Sequence, residues 1–182
     1  MSRGSRGQRP PGPEENPDRE ADPHDVARAI ALRQLTMAPR TRAQLAEKMA
    51  AKDVPEQVAT DVLDRFEEVG LVDDGAYAEA YVHSRSRSRG KRALAQELRR
   101  KGVDDETARE ALEGVGDEVE EGAARELLRR PLAATRGLDR AARQRRLAGV
   151  LARRGYPPGL VMRLVREAIG EDEAAVDDDP LD

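Results

Sequence analysis

One pattern of apolar residues recurs three times along this chain and leaves little freedom for its fold. Leu45, Met49, Val54, Val58, Val62 and Leu63 are separated by 4, 5, 4, 4 and 1 residues. Leu94, Leu98, Val103, Thr107, Ala111 and Leu112 repeat that spacing 49 residues later. Leu147, Leu151, Tyr156, Leu160, Leu164 and Val165 repeat it after a further 53. Steps of four keep side chains on one face of a helix, and the step of five marks a turn between two helices. A spacing preserved across the same break in three copies signals tandem repetition.

Helix signals complete each unit. Asp22-Pro23 is an N-cap with proline in the first turn, and Val26, Ile30 and Leu35 carry a helix to about Thr36, before Pro39. Thr41 to Gln44 is a capping-box pattern that opens a second helix. Val54-Pro55 opens a third, through Phe66 to Gly70. First helices of the later units are predicted over about 74–88, with Tyr77, Tyr81 and Val82, and about 117–130, with Val119, Leu127 and Leu128. The predicted fold is all-α, with three-helix repeats at 23–72, 73–115 and 116–170. Units this small are expected to share a core with their neighbours, giving an elongated curved rod. Residues 1–22, rich in Gly, Pro and charge, and the acidic residues 171–182 are expected to be disordered.

Aromatics make up 2% of the chain, so its cores must be built from Ala, Leu, Val and Met. The absence of cysteine excludes disulfide and thiolate chemistry. Neither a signal-peptide h-region nor a membrane-length apolar run is visible, and a soluble, cytoplasmic monomer with no membrane contact is expected. His24 and His83, the two histidines, lie 59 residues apart with no helical His/Glu pair for a metal. Ser84, Ser86 and Ser88 lie among arginines without a nucleophile elbow. Gly90-Lys91 resembles the end of a phosphate loop, but position 85 is Arg rather than Gly. These features argue against an enzyme and imply no metal or cofactor.

The net charge of −4 hides strong segregation. Residues 84–102 carry +7, residues 103–121 carry −8, and residues 122–166 carry +10. The third helices of the first two repeats open or run with acids (Glu56, Asp61 and Asp64; Asp104, Asp105 and Glu106), which a DNA groove would repel. That excludes the usual helix-turn-helix mode and favours backbone or filament contact.

Aligning the repeats separates structural charge from functional charge. Lys52, Lys101 and Arg154 share one position near the second helix's C-terminus, where a cation favours the helix dipole. Arg92 and Arg145 align with Ala43, and Arg100 and Arg153 with Ala51. The fold therefore tolerates alanine at these outward positions, and a partner explains the charge better than stability does. Arg85, Arg89, Arg99 and Arg146 extend the same candidate face. Tyr77, Tyr81 and Tyr156 could stack on bases, although their helical spacing favours core packing.

Phe66–Ala78 (FEEVGLVDDGAYA), Gly90–Val103 (GKRALAQELRRKGV) and Arg146–Tyr156 (RLAGVLARRGY) resemble the RecX regulators of the bacterial recombinase RecA. The likeness runs from about Asp25 to Gly170. Many relatives have proline where this chain has Lys91, and the head and acidic tail lie outside the pattern. The resemblance implies a helical-repeat protein that binds in the groove of the RecA–DNA filament and limits its ATP hydrolysis, extension and strand exchange. Contact with single- and double-stranded DNA through the basic faces follows as an expectation. A sequence-independent DNA-binding module and a helical scaffold for another protein are the alternative readings.

Overall fold

Helix caps delimit most of the elements in the computed structural model, which describes residues 22–177. Among these residues there are nine helices and no strand. They are α1 Pro23–Met37, α2 Arg42–Ala50, α3 Glu56–Glu68, α4 Asp74–Arg85, α5 Lys91–Arg100, α6 Asp105–Glu113, α7 Asp117–Ala133, α8 Arg140–Ala152 and α9 Pro158–Asp177. Asp22, Asp73, Asp104 and Asp139 accept backbone N–H bonds at the starts of α1, α4, α6 and α8. Thr41 and Gln44 form the complete capping box of α2. α4 ends at Arg85, leaving a five-residue linker, and α7 continues through Pro131 to Ala133.

Each triplet of helices encloses its own core. Leu45, Met49, Leu63 and Phe66 centre the first, Leu94, Leu98 and Val103 the second, and Leu147, Leu151, Tyr156 and Leu164 the third. Helix packing is likewise concentrated inside each triplet. The expectation of a core shared between neighbours is therefore corrected. Three helices wrapped around a few fully buried leucines close an apolar interior without help, and the repeats meet through polar and glycine contacts instead.

Those contacts occur twice in the same form. In the first joint, Thr41 Oγ1 donates to the Lys101 carbonyl at 2.6 Å and the Arg42 N–H donates to Asp74 Oδ1 at 2.8 Å. In the second, the Gly90 N–H donates to the Arg154 carbonyl at 2.8 Å and the Lys91 N–H donates to Glu120 Oε1 at 2.9 Å. An acid from the first turn of one repeat thus caps the second helix of the preceding repeat, satisfying an N–H with no intrahelical acceptor. The turn after that next repeat's second helix presses on the same helix start.

That close approach explains a difference among three aligned turns. Asp53, Gly102 and Gly155 all have positive φ, at 57°, 82° and 83°. A Cβ on Gly102 would overlap the Ala43 Cβ, and one on Gly155 would lie 2.5 Å from the Ala93 nitrogen. Asp53 belongs to the first repeat, whose turn docks on no preceding repeat among the described residues. Aspartate can adopt the left-handed conformation there, whereas the docked turns have no room for a side chain.

The acidic end also differs from expectation. α9 continues to Asp177, so 171–177 is helical, while residues 1–21 and 178–182 of the predicted tails lie outside the described residues. The reason is electrostatic. Asp172 is buried and accepts from Arg136 at 2.7 Å and from Arg143 at 2.5 Å, and both arginines keep its carboxyl below the usual range, Arg136 first. Those bonds hold the last turns of α9 against the α7–α8 connection and α8. Among the described residues, no helix is long and apolar enough to cross a membrane.

Candidate partner-binding groove

α5 and α8 each bury a leucine pair, Leu94/Leu98 and Leu147/Leu151, and this turns Arg92, Arg99 and Arg100 of α5 and Arg145 and Arg146 of α8 outward, while Arg143 is buried. Across the second joint, the outer side of α5 faces α8 and the start of α9. A groove of about 510 Å³ lies between them. Arg92 and Gln96 form one wall, Gly149 and Arg153 the other, and Val161 and Met162 add apolar surface from α9. Met162 is about half exposed. Where the second repeat has Gln96 the third has Gly149, and the Arg153 guanidinium extends across that gap, 3.0 Å from where a Gly149 Cβ would sit.

The eight arginines expected at the interface do not form one set. Arg92 and Arg153 line the groove. Arg100 lies two turns beyond Arg92 on α5, and its Nε donates to the Gln96 carbonyl of its own helix at 3.3 Å. Arg145 and Arg146 lie about one turn before Gly149 on α8, both exposed. None of these five has a carboxylate within salt-bridge distance among the described residues. The other three are engaged elsewhere. Arg85 lies 4.6 Å from the Tyr81 ring centroid on the α4 side, Arg89 is 3.4 Å from Glu97, and Arg99 pairs with Asp105 across α5 and α6.

Much of the +10 block is also neutralised internally. Arg125 and Arg163 clasp Glu121, which they hold down at about 2, Arg163 first. Arg129 pairs with Glu126, and Arg136, Arg140 and Arg143 pair with Asp172 and Glu173. An unpaired guanidinium keeps its full hydrogen-bonding capacity for an outside carboxylate or phosphate. The groove arginines are in that state.

The tyrosines resolve as packing residues. Tyr156 is buried, and burial pushes its hydroxyl up to about 12. Tyr81 donates to Glu97 Oε2 at 2.7 Å and lies between the cations of Arg85 and Lys101; burial first and that bond second raise it. Lys101 does more than favour a helix dipole, since its carbonyl makes the first joint. Glu120, Gly149 and Met162 escaped sequence reasoning. Gly149 was detectable, because the repeat alignment sets it opposite Gln96.

Residues 27–66 match the first three-helix domain of RecX and residues 73–112 match the second. A regulatory protein RecX of Thermobifida fusca is 52% identical over 170 residues, covering 92% of this chain and 90% of that protein. The chain belongs to the RecX family. The regulatory protein RecX of Streptomyces coelicolor is 54% identical over 153 residues, covering 83% of this chain and 81% of its own length. The crystal structure of RecX from Lactobacillus salivarius superposes with a TM-score of 0.76 at 22% identity, over 82% of this chain and 98% of that one. That likeness shows the RecX fold of tandem three-helix domains. These relatives are named as regulators, and the two family matches fall on the first two of the repeats described above.

Proposed function

We propose that this chain regulates the recombinase RecA by binding the RecA–DNA filament and limiting its ATP hydrolysis, extension and strand exchange. It acts without catalysis of its own, as a single chain lying along neighbouring filament subunits and close to the bound strand. The groove between α5 and α8–α9 is the docking face. One observation carries this reading: among the described residues Arg92, Arg100, Arg145 and Arg153 lack carboxylate partners, and repeat one has alanine at both equivalent positions. Family membership and the regulatory naming of the relatives supply the partner class.

The test is the DNA-dependent ATPase of RecA, titrated with the wild-type chain and with an Arg92/Arg100/Arg145/Arg153→Ala variant. The wild type should inhibit. The variant, folded by circular dichroism, should need on the order of tenfold more protein or greater, as loss of several interfacial charges commonly costs. No inhibition by the wild type refutes the regulator, and equal inhibition by the variant removes the groove. A plain phosphate-binding module would instead bind DNA without RecA and lose affinity steeply with salt.

A further inference from the structure

The α4–α5 linker, 86–90, is the one part of the Arg-Ser stretch that the docking face leaves unexplained. The three serines of that stretch differ in where they sit, although each hydroxyl donates to the carbonyl three residues back. Ser84 lies inside α4 and donates its hydroxyl to the Tyr81 carbonyl. Ser86 caps α4, is half-buried, and donates its N–H to the Val82 carbonyl. Ser88 is exposed in the turn beyond the helix, and its hydroxyl donates to the Arg85 carbonyl at 3.2 Å, a bond that opens with the turn. Arg85 and Arg87 precede it by three positions and one, and Arg89 follows.

The same residue touches the second joint. Arg154 Nη1 donates to the Ser88 carbonyl at 3.3 Å, and two residues later the Gly90 N–H donates to the Arg154 carbonyl. Gly90 is the N-cap of α5 and offers no side-chain cap. A dianion at Ser88 would therefore stand beside the Arg154 guanidinium, flanked in sequence by Arg87 and Arg89, next to a helix start whose Lys91 N–H Glu120 already caps.

We infer that Ser88 is a phosphorylation site, modified by an arginine-directed protein serine kinase, and that the phosphate turns down the groove. Ser88 Oγ attacks the γ-phosphorus of kinase-bound ATP. An Oγ–P bond forms, the bond to the ADP oxygen breaks with its electron pair leaving on ADP, and the hydroxyl proton passes to the kinase's base. A kinase cleft takes an extended strand, so the turn bonds from Ser88 and Arg89 to the Arg85 carbonyl and the Gly90–Arg154 bond must open first. Modification thus reads the state of the joint. The phosphate adds about −1.5 to −2 to a stretch carrying +7, and it draws Arg154 toward the linker. Its effect on RecA rests on the function proposed above.

The test treats the full chain with ATP and the catalytic subunit of cyclic-AMP-dependent protein kinase, used only as an arginine-directed probe. Mass spectrometry should place one phosphate on Ser88 and none in Ser88→Ala, and Arg154→Ala should be modified faster. The phosphorylated chain should leave heparin at lower salt and inhibit RecA ATPase several-fold less well, while Ser88→Ala behaves as wild type. The phosphopeptide should also be found in protein isolated from its own cells. Phosphate on Ser84 or Ser86 instead, undiminished heparin retention, or no phosphopeptide in growing or DNA-damaged cells overturns the inference. The heparin and mapping results hold even where wild type fails to inhibit RecA, so the two failures are distinguishable.

Discussion

Replacing Gly155 with alanine tests whether the joints, rather than the cores, fix how the repeats sit together. Two costs arise. At φ 83° an L-residue pays roughly 1–2 kcal/mol for the left-handed conformation. The added Cβ would also lie 2.5 Å from the Ala93 nitrogen and 2.9 Å from its Cα, where non-bonded atoms prefer about 3.5–4.0 Å. The turn must therefore retreat by about 1 Å, which carries the 2.8 Å Gly90–Arg154 hydrogen bond out of range and forfeits ~0.5–1.5 kcal/mol. The total is about 1.5–3.5 kcal/mol. Gly70 supplies the internal standard, because its φ is 70° and nothing lies within 4 Å of its missing Cβ. Gly70→Ala should cost only the conformational part, roughly 1–2 kcal/mol. Urea unfolding gives the stability difference, and hydrogen exchange at the Gly90 amide reports the joint directly. Gly102→Ala should behave like Gly155→Ala, and Asp53→Gly should cost nothing at its joint-free turn. If Gly155→Ala is no worse than Gly70→Ala and the Gly90 amide stays protected, the reasoning is wrong.

Three further outcomes follow from the ionised groups. Asp74 caps Arg42 from a half-buried position, and desolvation there raises its pKa above the ordinary value. A raised carboxyl favours the folded state at low pH and penalises it once ionised, so Asp74→Asn, which still accepts the Arg42 N–H, should stabilise at pH 7. That gain should vanish as pH falls below about 4, measured by thermal melts across pH. Asp172→Ala leaves the buried Arg143 guanidinium, whose Nε already lacks a partner, with Glu173 at 3.6 Å as its remaining carboxylate, and should cost about 3 kcal/mol, with faster exchange in the last turns of α9. Glu121, held at about 2 by Arg163 and Arg125, contributes stability above its unfolded pKa that fades as pH falls from about 4 toward 2. An NMR titration showing its carboxyl titrating normally would remove the α7–α9 clasp from the account.

The repeat, the break after each second helix and the α2 capping box were legible because each rests on local rules of periodicity and capping. The closed cores were not legible. Spacing tells which residues turn inward, but not whether three short helices meet tightly enough to exclude a neighbour. The end of α9 was misjudged for a related reason. A run of acids reads as a solvated tail until Arg136 and Arg143 are known to lie beside Asp172, 36 and 29 positions away.

The arginine face shows the same limit and the way around it. Summed over 122–166 the charge suggests a broad basic surface, yet Arg125, Arg129, Arg136, Arg140, Arg143 and Arg163 all face carboxylates. The field available to a partner therefore comes from few side chains, and block totals overstate it. Alignment of the repeats selected Arg92, Arg100, Arg145 and Arg153 without knowing any pairing, because alanine at the equivalent places shows what the fold can spare. Sparing alone does not free a charge: Arg99 aligns with Ala50 and Ala152 yet pairs with Asp105, whereas these four face no carboxylate among the described residues. Two of the four, Arg92 and Arg153, line one groove across a joint whose closest contact depends on glycine. Substitutions at Gly155 should therefore weaken partner binding as well as stability, although Gly155 carries no charge.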